Sequence, residues 1–229
     1  MRAARDLGFR YDTSGVNDQV WPKKKEGLWD LSMQLVPFPG HSFEQLTMDY
    51  NFMVNQSGTT TQGDPAKHEM WGDQMRDSLL QGFERAYDGN RAPLIIGNHF
   101  ESWNGGTYMR AVEEVVQEVC NKSDVRCVSF RGLADWLDAQ DPETLAKLRT
   151  LNVGEAPKKD WASFLSGGPA PAPKGCPAPP RRSGERQADA VTSSPSTKPG
   201  SIWADRSAPV RSSPHDRAFF RWKCAIWRV

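Results

Sequence analysis

The chain has 229 residues, enough for one large domain or two small ones. A hydrophobic share of 38%, a mean hydropathy of −0.65 and 17 prolines indicate a folded part that carries a polar extension. The formal net charge of +1 gives no reason to expect a nucleic-acid partner, and no apolar run is long enough to predict a membrane span.

The first residues predict the last turn of a helix, which Gly8 ends, followed at once by a strand. They lack the apolar core of a signal peptide, so we expect a cytoplasmic location for the chain as written. Residues 12–61 show little helical periodicity and many turn residues. This pattern predicts short strands joined by long, ordered loops.

A long helix is predicted to start at Asp64 and Pro65, because aspartate is a good N-cap and proline suits the first helical position. One apolar face follows at helical spacing, formed by Trp71, Met75, Leu79 and Phe83. The turn residues 87–90 are predicted to end this helix.

A short apolar run over residues 94–97 lies between turn residues and ends in His99. Strands buried on both faces have such unbroken apolar runs, and in parallel α/β folds the chemistry lies just past the carboxyl ends of the strands. The run therefore predicts a buried strand that delivers His99 to the rim of a sheet. A histidine in this position is also typical of a hydrogen-bonded structural residue.

After a turn at residues 104–107, a second helix is predicted by the spacing of Tyr108, Val112, Val115, Val116 and Val119. Residues 125–130 predict another strand, and helices are predicted to begin near Leu133 and at Asp141. Helices and strands that alternate in this order favour a parallel α/β architecture.

The pattern changes at about residue 158, so we predict a domain over residues 1–157 and a low-complexity, disordered tail rich in Pro, Ser and Arg over 158–229. The final residues, 218–229, are apolar and basic and have no predicted place in the fold. Cys120 and Cys127 lie where a helix end could meet the following strand, either as a disulfide or as two buried thiols.

Several stretches occur in an order that resembles the C-terminal half of a polysaccharide deacetylase of the NodB-homology, carbohydrate esterase type. They are the segments at 8–15, 48–51, 94–99 and 125–137. The resemblance covers roughly residues 3–152. It implies the C-terminal part of an irregular (β/α) barrel that removes acetyl groups from sugar polymers, with a bound divalent metal such as zinc.

The resemblance also implies roles for individual residues. His99 matches the histidine of the family's Leu-x-His motif, the general acid toward the departing amine or alcohol, although Gly97 stands where an apolar residue is usual. Asp12 matches an aspartate that orients the catalytic groups, or it caps a turn. Trp103 and Trp136 are candidates for a sugar subsite or for the core, and for Trp136 the core is favoured.

The sequence contains no adjacent aspartate pair and no His-x-x-x-His, which supply the base and metal ligands in the family. We therefore expect the chain to lack the metal-binding half of the barrel, to hold no metal of its own, and to need a partner for that half. Complete members of the family usually act outside the cytoplasm, so the location stays open. An acetylated polysaccharide is the implied substrate.

Three interpretations follow. The chain is a deacetylase-type hydrolase that is weakly active or inactive by itself, a glycan-binding remnant that uses its tryptophan-bearing loops, or a product without an independent function.

Overall fold

The computed structural model describes residues 2–166 and 222–228, and in the second range the side chains of Ala225 and Ile226. All of these residues belong to one compact unit. The α/β class predicted from the sequence is confirmed: the described residues form helices and three small sheets.

The elements are numbered in chain order. The helices are α1 Arg2–Asp6, α2 Asp49–Ser57, α3 His68–Asp88, α4 Trp103–Val119, α5 Phe130–Asp138, α6 Pro142–Leu148 and α7 Trp161–Leu165. The strands are β1 Tyr11–Asp12, β2 Val16–Asn17, β3 Lys24–Lys25, β4 Leu28–Asp30, β5 Met33–Pro37, β6 Glu44–Leu46, β7 Leu94–Asn98, β8 Val125–Ser129 and β9 Trp222–Arg228.

The first two sheets come from the loop-rich N-terminal part and contain short strands, as predicted. The order of one is β1-β4-β3, with β1 parallel and β3 antiparallel to β4. The order of the other is β2-β5-β6, with β2 parallel and β6 antiparallel to β5. A single parallel bridge between Met48 and Gly97 then joins the chain after β6 to strand β7.

The third sheet differs from the predicted parallel arrangement. Its order is β7-β9-β8, and β9 is antiparallel to both neighbours. Strands β7 and β8 run in the same direction, as expected for strands joined by helix α4, but a strand from the far end of the chain lies between them. The sheet is therefore mixed rather than parallel.

The predicted helices and their apolar faces are confirmed. Asp64 accepts a hydrogen bond from the backbone N–H of Ala66 at 3.0 Å and caps a 3-10 turn that leads into α3. Asp141 caps α6 in the same way. The apolar faces of α3 and α4 are largely buried in one core, against one face of β7. Helices α5 and α6 pack in a second core, against the opposite face of β7.

Two parts of the expected tail belong to the folded unit, which corrects the boundary predicted at residue 158. Helix α7 packs on the second core through Trp161, Phe164 and Leu165, and the guanidinium of Arg91 lies 4.1 Å from the Trp161 ring centre. Strand β9 contributes Ala225 and Ile226 to the two cores. Apolar side chains in an otherwise polar stretch explain both attachments, because burying them stabilises the fold. Residues 167–221 of the expected tail lie outside the described residues.

Cys120 and Cys127 form a disulfide, with 5.8 Å between their Cα atoms, so the first of the two alternatives left open by the sequence is correct. The bond joins the residue that follows α4 to strand β8. Within the described ranges, no helix is both long and apolar enough to cross a membrane.

Candidate functional site

His99 lies immediately past the carboxyl end of β7, where the sequence predicted it. The five residues of the strand are all buried, whereas the His99 side chain is 22% exposed. The Met33 side chain packs closely against Gly97, since a Cβ atom at position 97 would lie 2.9 Å from the Met33 sulfur.

A buried carboxylate holds the imidazole in place. Asp49 opens helix α2, and the parallel bridge between Met48 and Gly97 aligns the preceding residue with the end of β7. As a result, Asp49 Oδ1 lies 2.6 Å from His99 Nδ1, and Asp49 Oδ2 accepts the backbone N–H of His99 at 2.8 Å. The Asp49 side chain is only 2% exposed.

Asp49 accepts a further hydrogen bond at the start of its own helix. Its Oδ1 atom also accepts the backbone N–H of Tyr50 at 2.8 Å, and the first turn of a helix stabilises negative charge. A carboxylate accepts hydrogen bonds and cannot donate them, so the short contact requires a proton on Nδ1 of His99. The other ring nitrogen, Nε2, is then the one that can exchange a proton with a bound molecule.

Aromatic rings surround the imidazole. The Trp103 ring centre lies 5.3 Å from that of His99, and the Tyr50 ring centre lies 6.3 Å from it. The two aromatic rings are 6.0 Å apart. Tyr50 is 44% exposed and Phe100, the next residue after His99, is 43% exposed. Such surfaces suit stacking against the apolar faces of sugar rings.

Left-handed turns position these aromatic residues. Phe100 has a positive φ of 56°, and its backbone N–H donates to the side chain of Asn98 at 2.7 Å. The turn predicted after Trp103 is present as three consecutive residues, 104–106, with positive φ. Asparagine and glycine tolerate this conformation better than other residues, so the sequence permits the turn.

Asn104 fixes the Trp103 turn to the loop that follows α2. Its side chain accepts the backbone N–H of Gly63 at 2.7 Å and donates to the hydroxyl oxygens of Ser57 and Tyr108, each at 3.0 Å. Burial raises the pKa of Tyr108 and outweighs the lowering effect of its hydrogen bonds, which keeps this hydroxyl neutral. Asn104 is fully buried. The position of Trp103 beside His99 is therefore determined by several buried hydrogen bonds.

The other predicted site residues lie elsewhere. Asp12 ends β1, and its carboxylate accepts the Ser14 hydroxyl at 2.8 Å, a contact that orders a turn. An orienting role toward His99 stays a prediction for Asp12. Trp136 is 7% exposed and stacks on Trp21 with 5.6 Å between ring centres, in agreement with a core position.

Sequence reasoning gave no role to Asp49, although it included the segment 48–51 in the family resemblance. An acidic residue in the first turn of a helix was the available signal, and it is a common feature of helices without catalytic meaning. The residues that the structure describes contain no group of three or more His, Cys, Asp or Glu side chains that could hold a metal ion.

Comparisons with models of protein families, with curated proteins and with solved structures find no match to this chain.

Proposed function

We propose that this chain carries the general-acid part of a hydrolase that removes acetyl groups from a polysaccharide, within the C-terminal part of an irregular (β/α) barrel. The observation that supports this most is the pairing of His99 with the buried Asp49 beside exposed aromatic rings. The order of the sequence segments that resemble polysaccharide deacetylases supports the reaction type.

In this proposal, Nε2 of His99 donates its proton to the leaving nitrogen or oxygen as the bond to the acetyl carbon breaks. Asp49 holds the ring and stabilises the imidazolium before the proton is transferred. Trp103 and Tyr50 bind the sugar. The described residues contain no group of three or more His, Cys, Asp or Glu side chains that could hold a metal ion. We therefore propose that a partner supplies the metal ligands and the base, and that the chain by itself releases little acetate.

The test is acetate release from acetylated chito-oligomers, measured for the chain alone and for the chain co-expressed with the metal-binding half of a polysaccharide deacetylase. We expect release in the second case and a loss of about 10²–10⁴-fold in His99→Gln, the range typical of a missing general acid. The matched control is His41→Gln, since His41 stacks on Phe38 in a different cluster. Release that is equal in His99→Gln and the native chain would refute the role of His99.

A second candidate is a module that binds glycan without turnover. The exposed side chains of Tyr50 and Phe100 favour it, together with the 6.0 Å contact between the rings of Tyr50 and Trp103. Titration with chito-oligomers, followed by tryptophan fluorescence, distinguishes the two functions. Saturable binding that is lost in Trp103→Ala, without acetate release in any combination, would support the binding module. The absence of binding at millimolar oligomer would exclude both candidates.

A further inference from the structure

Strand β9 fills a slot between two strands that run in the same direction. It forms five residue pairs with β7, from Leu94↔Ile226 to Asn98↔Trp222, and five with β8, from Val125↔Arg228 to Ser129↔Cys224. Neighbouring strands lie about 4.8 Å apart, so β7 and β8 are separated by about 10 Å, the width that one strand fills. Both neighbours depend on β9 for their backbone pairing along this slot.

The strand also closes both cores. Ile226 is 1% exposed and packs in the core with Leu94 and Val125, whereas Ala225 is fully buried in the core with Ile95 and Phe130. Adjacent residues of a strand point to opposite faces, so one short segment serves two cores at once. A slot without its strand would expose apolar side chains and unpaired backbone groups, which favours capture of any strand that fits.

The connection to this strand is long. Residues 167–221, 55 in number, separate Ser166 from Trp222. A chain of that length spans up to about 190 Å when fully extended, whereas a unit of this size has a radius of gyration of about 15 Å. The connection therefore allows the strand to reach the slot of another molecule.

We propose that the slot between β7 and β8 accepts residues 222–228 of a second copy of this chain, and that two copies exchange their strands to form a closed dimer. The contacts within the slot are the same in the exchanged and unexchanged forms, so protein concentration decides between them. The exchange places residue 222 of the other copy opposite Asn98, the residue before His99. This inference does not depend on the proposed catalytic role.

A disulfide trap tests the exchange in the full-length chain, because Ser129 and Cys224 are direct partners across the β8–β9 pair. The acceptor carries Ser129→Cys, Cys176→Ser and Cys224→Ser, and the donor carries Cys176→Ser alone. The two are unfolded in urea, mixed, refolded together and oxidised, and the products are separated on a non-reducing gel.

Refolding is done at about 10 µM and about 500 µM protein, because pairing between two molecules increases with protein concentration whereas pairing within one molecule does not. We expect a covalent acceptor–donor dimer that increases roughly in proportion to concentration. Light scattering of the native chain is expected to show the same increase in dimer.

Two controls make the result decisive. A single chain with Ser129→Cys and Cys176→Ser, which retains Cys224, is expected to form the link within one molecule at low concentration. A donor with Leu7→Cys, Cys176→Ser and Cys224→Ser measures random collisions, since Leu7 is 77% exposed. A single-chain link without any acceptor–donor dimer at either concentration would overturn the proposal. So would an equal dimer yield with the Leu7 control, or the absence of a link in the single chain.

Discussion

Replacing Asp49 by asparagine is predicted to change both the stability of the fold and the proton position on His99. In the native chain the two carboxylate oxygens accept three N–H groups, from the His99 ring, the His99 backbone and the Tyr50 backbone. Asparagine has one acceptor oxygen and one NH2 group, so at least one donor loses its partner in either orientation of the amide.

The magnitude follows from the burial of this site. Leaving a buried donor unpaired costs about 1–3 kcal/mol, and removing a negative charge from the first turn of α2 costs about 0.3–1 kcal/mol more. We therefore expect Asp49→Asn to lower the free energy of unfolding by about 1.3–4 kcal/mol. The amide NH2 can also donate to Nδ1 of His99, which would move the ring proton to Nε2 and remove the proton acceptor from the exposed side.

Two measurements check this prediction. Urea denaturation gives the free energy of unfolding, and nitrogen-15 NMR of the neutral imidazole shows which ring nitrogen carries the proton. The control is Asp64→Asn, because asparagine and aspartate are equally good N-caps and this change is expected to alter stability by less than about 0.5 kcal/mol. A native-like stability together with a proton that stays on Nδ1 in Asp49→Asn would refute the role assigned to the carboxylate.

Three further changes test other parts of the structure. Ile226→Ala is expected to lower the free energy of unfolding by about 2–5 kcal/mol and Ile226→Val by about 0.5–1.5 kcal/mol, as measured in urea, because the side chain is buried in a core. Burial raises the pKa of Asp30, but hydrogen bonds led by that from Lys25 outweigh this and hold it below its ordinary value of 3.8. The resulting stability is full above that value and is lost as pH falls through the lower pKa of the folded state, so Asp30→Asn should weaken the acid dependence of unfolding below pH 4 or so. Replacing Cys120 and Cys127 together by serine is expected to cost about 2.5 kcal/mol by the loop-entropy estimate for a loop of about eight residues, and a reducing agent should lower the stability of the native chain similarly in the same urea assay.

Local patterns predicted the elements that pack against one another. The apolar spacing along residues 71–83 gave helix α3, and the buried run at 94–97 gave strand β7, since each pattern records which face lies in a core. The Asp64 and Asp141 caps predicted the starts of their helices through side-chain hydrogen bonds to the backbone. These features depend on neighbours within a few residues, which is why the sequence shows them.

Strand β9 was missed for the opposite reason. Its pattern was recognised as apolar, but strand pairing with residues 94–98 and 125–129 spans roughly a hundred residues and leaves no local signal. The predicted order of elements implied that β7 and β8 would pair directly. The adjacent residues Ala225 and Ile226 of β9 each pack in one of the two cores. The strand can therefore insert between β7 and β8 and change a parallel pair into a mixed sheet.

The residues of the candidate site also differ in whether the local sequence marks their positions. The positions of His99 and Trp103 could be predicted because a strand end and a turn mark them locally, and their functional roles stay predictions. Asp49 is separated from His99 by 50 residues and depends on the Met48–Gly97 bridge. The Asp49 carboxylate accepts hydrogen bonds from both the backbone N–H and the ring of His99. It therefore connects the start of α2 to the end of β7. The residue that orients the imidazole is thus also one that holds the fold together. For this reason substitutions of Asp49 need stability and proton position measured side by side, because a loss of activity alone would not separate a displaced histidine from a loosened fold.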